Sequence, residues 1–302
     1  MNELIIAGIR RGNKYSPNHV GNDAAIFQLT AKALRAYGCT VNEYSEAVLS
    51  ERDIEESFIF GMVRDWTSIR KLQKYESEGR IVVNSAYGIE NCTREKMTRL
   101  LLENNIPHPQ SLIVQTNADP LPAFEEVEFH TCWIKRGDFH AIHREDVTYV
   151  RNREEAQSIL EEYAIRGIES AVINEHLVGD LVKFYGVAGT DFFYWFYPSS
   201  QNHSKFGLEQ INGNAKGIPF DAEHLRDLCN QAADVLNIHV YGGDCIVSED
   251  GVARIIDFND WPSFAPCREE AAPHIAKRIY TLMTESCKNR QESLTWNPLS
   301  NH

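Results

Sequence analysis

The segment Gly243-Asp244-Cys245-Ile246-Val247-Ser248-Glu249-Asp250-Gly251-Val252-Ala253-Arg254-Ile255-Ile256-Asp257-Phe258-Asn259 carries the strongest chemical signal in the sequence. Asp250-Gly251 is a preferred two-residue hairpin turn. Closing the hairpin there pairs Glu249 with Val252, and the same register sets Asp244 opposite Asp257. Asp257 and Asn259, two residues apart on a strand, share a face. Opposed strand residues hold their Cβ atoms about 4.5–5.5 Å apart, so like charges there are destabilising unless something positive lies between them. Magnesium, a hard cation that prefers oxygen ligands and substrate phosphates, meets that requirement. Ile246, Val247, Ile255 and Ile256 make both strands apolar on both faces, which puts the carboxylates in a protected cleft rather than on an open surface.

The elements around the hairpin follow from periodicity and capping signals. Residues 4–9, 41–44, 58–63 and 81–84 read as strands, alternating with helices over 24–37 and 68–78, the pattern of a small doubly wound lobe. Gly38 and Gly79 stand where helix C-caps belong, and Asn22 or Asp23 can cap the first helix. A helix over 93–104 places Met97, Leu100 and Leu101 at core spacing, and Pro107 and Pro109 end it. Strands at 112–115, 132–136, 147–150 and 171–177 with a helix over 153–166 form an α+β lid. Aromatic-rich strands at 182–187 and 192–197, a helix over 222–236, the hairpin over 240–259 and a last helix over 269–284 complete the chain. The polar tail from 288 is expected to lack structure. Domain limits of 1–88, 89–176, 177–288 and a tail of 289–302 follow.

At 302 residues, two or three lobes sharing a cleft are expected. No apolar run approaches a bilayer span, and the start of the chain lacks the features of a signal peptide. Seven scattered cysteines without a C-x-x-C pair argue for buried thiols in a reducing, cytoplasmic setting rather than a disulfide framework or zinc site. With 43 acidic residues against 30 basic ones and a net charge of −13, nucleic acid and anionic membrane are poor partners.

Asp244 followed by Asp257-Phe258-Asn259 after a hairpin resembles the metal-binding strands of the ATP-grasp superfamily. That resemblance implies ATP and Mg2+, with Mn2+ able to substitute, and a metal set of Asp244, Asp257 and Asn259. It assigns Lys135, ending the strand Cys-Trp-Ile-Lys-Arg, to the ATP α- and β-phosphates, and Lys96 to the earlier phosphate lysine of the central helix. Ile173-Asn174-Glu175-His176-Leu177-Val178-Gly179-Asp180 is similar to the hinge whose backbone, at Glu175 and Leu177, holds adenine, with His176 between them. Asp180 then matches the ribose-binding acid, and Lys183 a basic residue facing phosphates or substrate. The resemblance covers roughly 80–262. The loop after Lys135 departs from the usual glycine-rich pattern, which draws Arg136, His140 and His143 forward as side-chain phosphate contacts.

Most of that superfamily, including the ribosomal-protein glutamate ligases and glutathione synthetases, join a carboxylate to an amine through an acyl phosphate. On this resemblance the chain is an ADP-forming ligase for a small molecule or peptide, with Arg268 and Lys183 as catalytic cations. Homodimers are common among such proteins. The substrate is expected between the first lobe and the hairpin, near Arg10, Arg11, Lys14 and Arg64, since guanidinium groups hold carboxylates in two parallel bonds; Ser16, Asn18 and His19 add polar contacts. Two rivals stand beside this reading. Lys135 with His140, His143 and Lys183 is similar to the inositol polyphosphate kinases, although a chain this acidic does not advertise their basic pocket; the other rival is a nucleotide-binding regulator without turnover.

Overall fold

Leu4–Arg10 forms the first strand, β1, and its residues Ile6 to Ile9 are buried on both faces. A strand covered on both faces reads as a continuous apolar run, as this one does, and belongs at the centre of a parallel sheet. The computed structural model describes residues 4–15, 20–118, 125, 127, 131–138, 144–198 and 211–295. Among them no helix is long and apolar enough to cross a membrane. The chain divides into two units, 1–86 with 187–192 and 263–302, and 87–186 with 193–262.

In the first unit, α1 (Val20–Ala36), β2 (Cys39–Ser45), α2 (Glu46–Glu51), β3 (Phe58–Gly61), α3 (Trp66–Ser77) and β4 (Ile81–Val83) follow β1. The sheet is parallel in the order β2-β1-β3-β4. Gly8 is required at its centre. A Cβ there would meet the Phe60 ring at 2.7 Å and the Phe27 ring at 2.9 Å, and these two rings stack on each other at 5.3 Å. Gly79, at φ +86°, ends α3 as expected, its N–H on Glu76 and that of Arg80 on Tyr75.

Two expectations fail in this unit. Helix α1 begins at Val20, so Asn22 and Asp23 lie inside its first turn and are not its caps. The last helix, α8 (Arg268–Thr295), runs into the tail expected to be unstructured. Helix α2 and the short α4 (Ala86–Asn91) were not expected; at six residues each they are too short to show a helical period.

The second unit holds α5 (Arg94–Glu103), two four-stranded sheets, and helices α6 (Arg153–Ile165) and α7 (Ala222–Leu236). One sheet is antiparallel throughout, in the order β5 (Ser111–Gln115), β8 (Ser170–Glu175), β6 (Cys132–Arg136), β7 (Val147–Val150). Strand alternation sends Cys132, Ile134, Val150, Ala171 and Ile173 into one core with Ala156, Leu160 and Tyr163 of α6. The opposite face therefore carries Trp133, Lys135, Tyr149, Asn174 and His176. The other sheet runs β10 (Phe193–Phe196), β9 (Asp180–Val187), β11 (Val240–Val247), β12 (Ala253–Asp260).

Candidate nucleotide and metal site

The hairpin of β11 and β12 turns differently from the expectation yet reaches the same pairing of acids. Gly251 donates its N–H to the Ser248 carbonyl at 2.8 Å, and Ser248 donates to Val252 at 3.1 Å. Ser248, not Glu249, therefore faces Val252, and Gly251 at φ +77° takes the left-handed position of a three-residue loop. The register continues as Val247–Ala253, Ile246–Arg254 and Cys245–Ile255, one residue out of step with the predicted pairing. A β-bulge then adds Ile256 to β12, and Asp244 faces Asp257 after all. The bulge also inverts the strand's facing. Ala253 and Ile255 are buried before it, Phe258 and Asp260 after it, so Asp257 and Asn259 turn out of the core.

Each carboxylate is met by a basic side chain from another element. Lys183 of β9 reaches both oxygens of Asp244, at 3.0 and 3.2 Å. Arg94, the first residue of α5, places Nη2 3.4 Å from an Asp257 oxygen, with its own side chain only 6% exposed against 23% for Asp257. Lys135 is buried and donates from Nζ to the Ile256 carbonyl at 2.8 Å. Burial pulls the Lys135 ammonium down to about 7, and Arg94 adds to the shift while Asp257 and Asp244 oppose it. His108 is driven down to about 3, first by burial and then by Lys135, so it stands neutral beside them. The Pro107 carbonyl, one residue earlier, accepts the Ile255 N–H at 2.9 Å and ties this segment to β12.

Asp244, Asp257 and the Asn259 amide offer hard oxygen donors on adjacent strands, a set that suits magnesium. Among the described residues no group of three or more His, Cys, Asp or Glu side chains could hold a metal unaided.

At the end of β8, Glu175 gives its N–H to the Gln110 carbonyl and His176 gives its own to Thr131. Strand geometry turns the Glu175 carbonyl to the same side as its N–H, toward β5, and Leu177 lies beyond the end of β8. The His176 ring accepts from Trp133 Nε1 at 3.1 Å and meets the Tyr149 ring edge-on; burial lowers its pKa, against Glu175. Asp180 is buried, and its oxygens take the amides of Lys216 and Ile218 at 2.7 and 2.8 Å. It holds the segment before α7 against β9.

Lys96 is not brought to this cluster. Its ammonium pairs with Glu90 at 2.6 Å and the side chain is half exposed. Arg94, which the sequence reading passed over, takes the place beside the hairpin. Its signal was available: Arg94, Met97, Thr98 and Leu101 are all buried and recur at helical spacing on one face.

In the first unit, the sheet order reverses between β1 and β3, the switch point beyond which doubly wound sheets bind ligands. Arg10 is exposed at the end of β1. Arg11 donates to the Met62 carbonyl and pairs with Asp23 at 3.2 Å. Lys14 pairs with Asp65 at 3.3 Å, Arg64 is buried, and Arg268 donates to Asn22 Oδ1 at 2.8 Å. A second residue missed by the sequence reading, Glu46, accepts the amides of Gly12, Arg64 and Asp65 at 2.7, 2.6 and 2.5 Å. The chain's own carboxylate thus fills the amide nest at the switch point. His140, His143, Ser16, Asn18 and His19 lie outside the described residues.

No protein-family model matches the chain, and no curated protein is significantly similar to it. Solved structures do resemble it over nearly its whole length. The D-alanine–D-alanine ligase of Bacillus anthracis complexed with ATP superposes with a TM-score of 0.67 at 15% identity, covering 96% of this chain and 99% of that one. The D-alanine–D-alanine ligase of Coxiella burnetii gives 0.66 at 11% identity, covering 97% and 98%. The ATP-grasp ligase PsnB, complexed with a minimal precursor, gives 0.58 at 15% identity, covering 93% and 99%. The shared feature at such identities is the fold: this chain has the ATP-grasp fold.

Proposed function

We propose that the chain is an ATP-dependent ligase that joins a carboxylate to an amine through an acyl phosphate and releases ADP and phosphate. One observation carries the reading: Arg94, Lys135 and Lys183 converge on a hairpin that presents two opposed carboxylates and the Asn259 amide. Phosphoryl transfer to a carboxylate needs positioning and charge neutralisation more than covalent chemistry from the protein, and these residues are of that kind. The resemblance to a ligase complexed with ATP and to a ligase complexed with a precursor peptide supports a small-molecule or peptide acid.

In this reading Lys135 and Arg94 contact the phosphates, with Lys96 at the margin, and the Glu175 carbonyl and Leu177 N–H hold the adenine edge, flanked by His176. Asp180 shapes the ribose end, each of its oxygens keeping a second lone pair for a hydroxyl. Asp244, Asp257 and Asn259 would hold Mg2+, or Mn2+, which supplies Lewis-acid neutralisation of the transferring phosphoryl group. Lys183 and Arg268 are the proposed cations for the reacting substrate. None of the seven cysteines forms a disulfide and six are buried, which supports a reducing, cytoplasmic setting.

The test is phosphate release from Mg-ATP against pooled amino acids, small peptides, polyamines and inositol phosphates, with mass spectrometry of products. Phosphate release that needs both an acid and an amine, with a product lighter by one water than their sum, is the expected result. A product heavier by one phosphoryl group, without free phosphate, makes the chain a kinase and refutes the ligase reading.

A further inference from the structure

Both acids of the hairpin are already engaged by cations, and the manner of that engagement bears on how a metal enters. Lys183 binds Asp244 through both oxygens, at 3.0 and 3.2 Å, from a side chain 17% exposed. Arg94 meets Asp257 at 3.4 Å from a side chain 6% exposed. Lys135, equally buried, sits on the carbonyl of Ile256 next to Asp257. Among the described residues each carboxylate thus already has a basic side chain beside it.

Resting on the ATP reading above, we propose that Lys183 and Arg94 stand in for the divalent ion on Asp244 and Asp257, so that the ion binds only together with a nucleoside triphosphate, whose phosphates take over both cations. A divalent ion arriving alone must displace Lys183 and Arg94 from these carboxylates, and taking the partner from a cation as buried as Arg94 is strongly unfavourable. A metal–triphosphate complex instead brings net negative charge and offers Lys183 and Arg94 new oxygens within reach of their flexible stems. The two ligands then cooperate, and by linkage each tightens the other by the same factor. Lys183 and Arg94 are positioning residues for the metal in this scheme, in addition to any contact they make with phosphate.

The experiment counts free Mn2+ by its electron paramagnetic resonance signal as protein is added, with and without a non-hydrolysable ATP analogue. Wild-type protein is expected to leave Mn2+ free when alone and to bind it when the analogue is present. Lys183→Met is expected to bind Mn2+ alone about tenfold or more tightly than wild type, the usual scale of such coupling, and Lys183→Gln is the second variant should the first fail to fold. A merely structural role for Lys183 predicts no gain of metal affinity. Mn2+ binding to wild type alone, as tight as with the analogue, overturns this inference while leaving the ATP reading intact. Absence of binding by the Mn2+–analogue complex overturns the ATP reading and this inference with it.

Discussion

Replacing Lys135 by methionine is expected to stabilise the protein while abolishing nucleotide binding. Burial draws the Lys135 ammonium from 10.5 to about 7, and each pKa unit corresponds to about 1.4 kcal/mol. Keeping the proton in the folded state below pH 7 therefore costs up to about 5 kcal/mol. The variant escapes that cost and gives up the hydrogen bond to Ile256, worth about 1.5–3 kcal/mol for a charged donor. At about pH 6 the balance favours Lys135→Met by roughly 2 kcal/mol. The sign reverses with pH in a defined way. Between about 7 and 10.5 the unfolded chain holds a proton that the folded chain has released, so wild-type stability rises with pH through that window. The variant lacks this slope, and its advantage shrinks as the wild type recovers. Urea denaturation in EDTA at about pH 6, 8 and 9.5 measures the difference directly. A variant less stable than wild type at the lowest pH, or a gap that does not change with pH, would refute the reasoning.

Deleting Ile256 removes the bulge but leaves Asp257 directly after Ile255, still opposite Asp244 and on the face away from Ile255; binding of Mg-nucleotide, followed by calorimetry, is expected to persist, and its loss contradicts the reading of Ile256 as the inserted residue. Arg94→Met is expected to weaken nucleotide binding by about tenfold or more, the scale for one charged partner, whereas Lys96→Met, from a half-exposed pair with Glu90, changes it little; equal effects contradict the placement of Arg94. Glu46→Ala leaves the three amides of Gly12, Arg64 and Asp65 without their acceptor, and chemical denaturation should register a loss of about 3 kcal/mol or more.

Long periodic elements and the order of chemical residues were legible in the sequence; local irregularities were not. The predicted pairing of Asp244 with Asp257 holds because two departures cancel. The turn takes Gly251 as the third residue of its loop and moves the register by one, and the bulge at Ile256 moves it back. Nothing in a run of apolar β-branched residues marks which of them will bulge. The burial of Arg94 was readable, since it lies three residues before Met97 on the buried face of α5, whereas the family resemblance points to Lys96. Glu46 was not readable: its role depends on amides from two distant strand ends that only the assembled sheet brings together. The bonds of Asp180 to Lys216 and Ile218 span a separation that no local pattern reports.

The central claim, an acyl phosphate formed at the Asp244–Asp257 hairpin, has a direct isotopic test. Pooled amino acids and peptides labelled with 18O in their carboxyl groups are incubated with Mg-ATP, amines and the protein, and released phosphate is examined by mass spectrometry. The carboxylate oxygen that attacks the γ-phosphorus leaves with phosphate when the amine displaces it, so the account predicts one 18O in each phosphate released. Phosphate free of label, or AMP and pyrophosphate in place of ADP and phosphate, would contradict it.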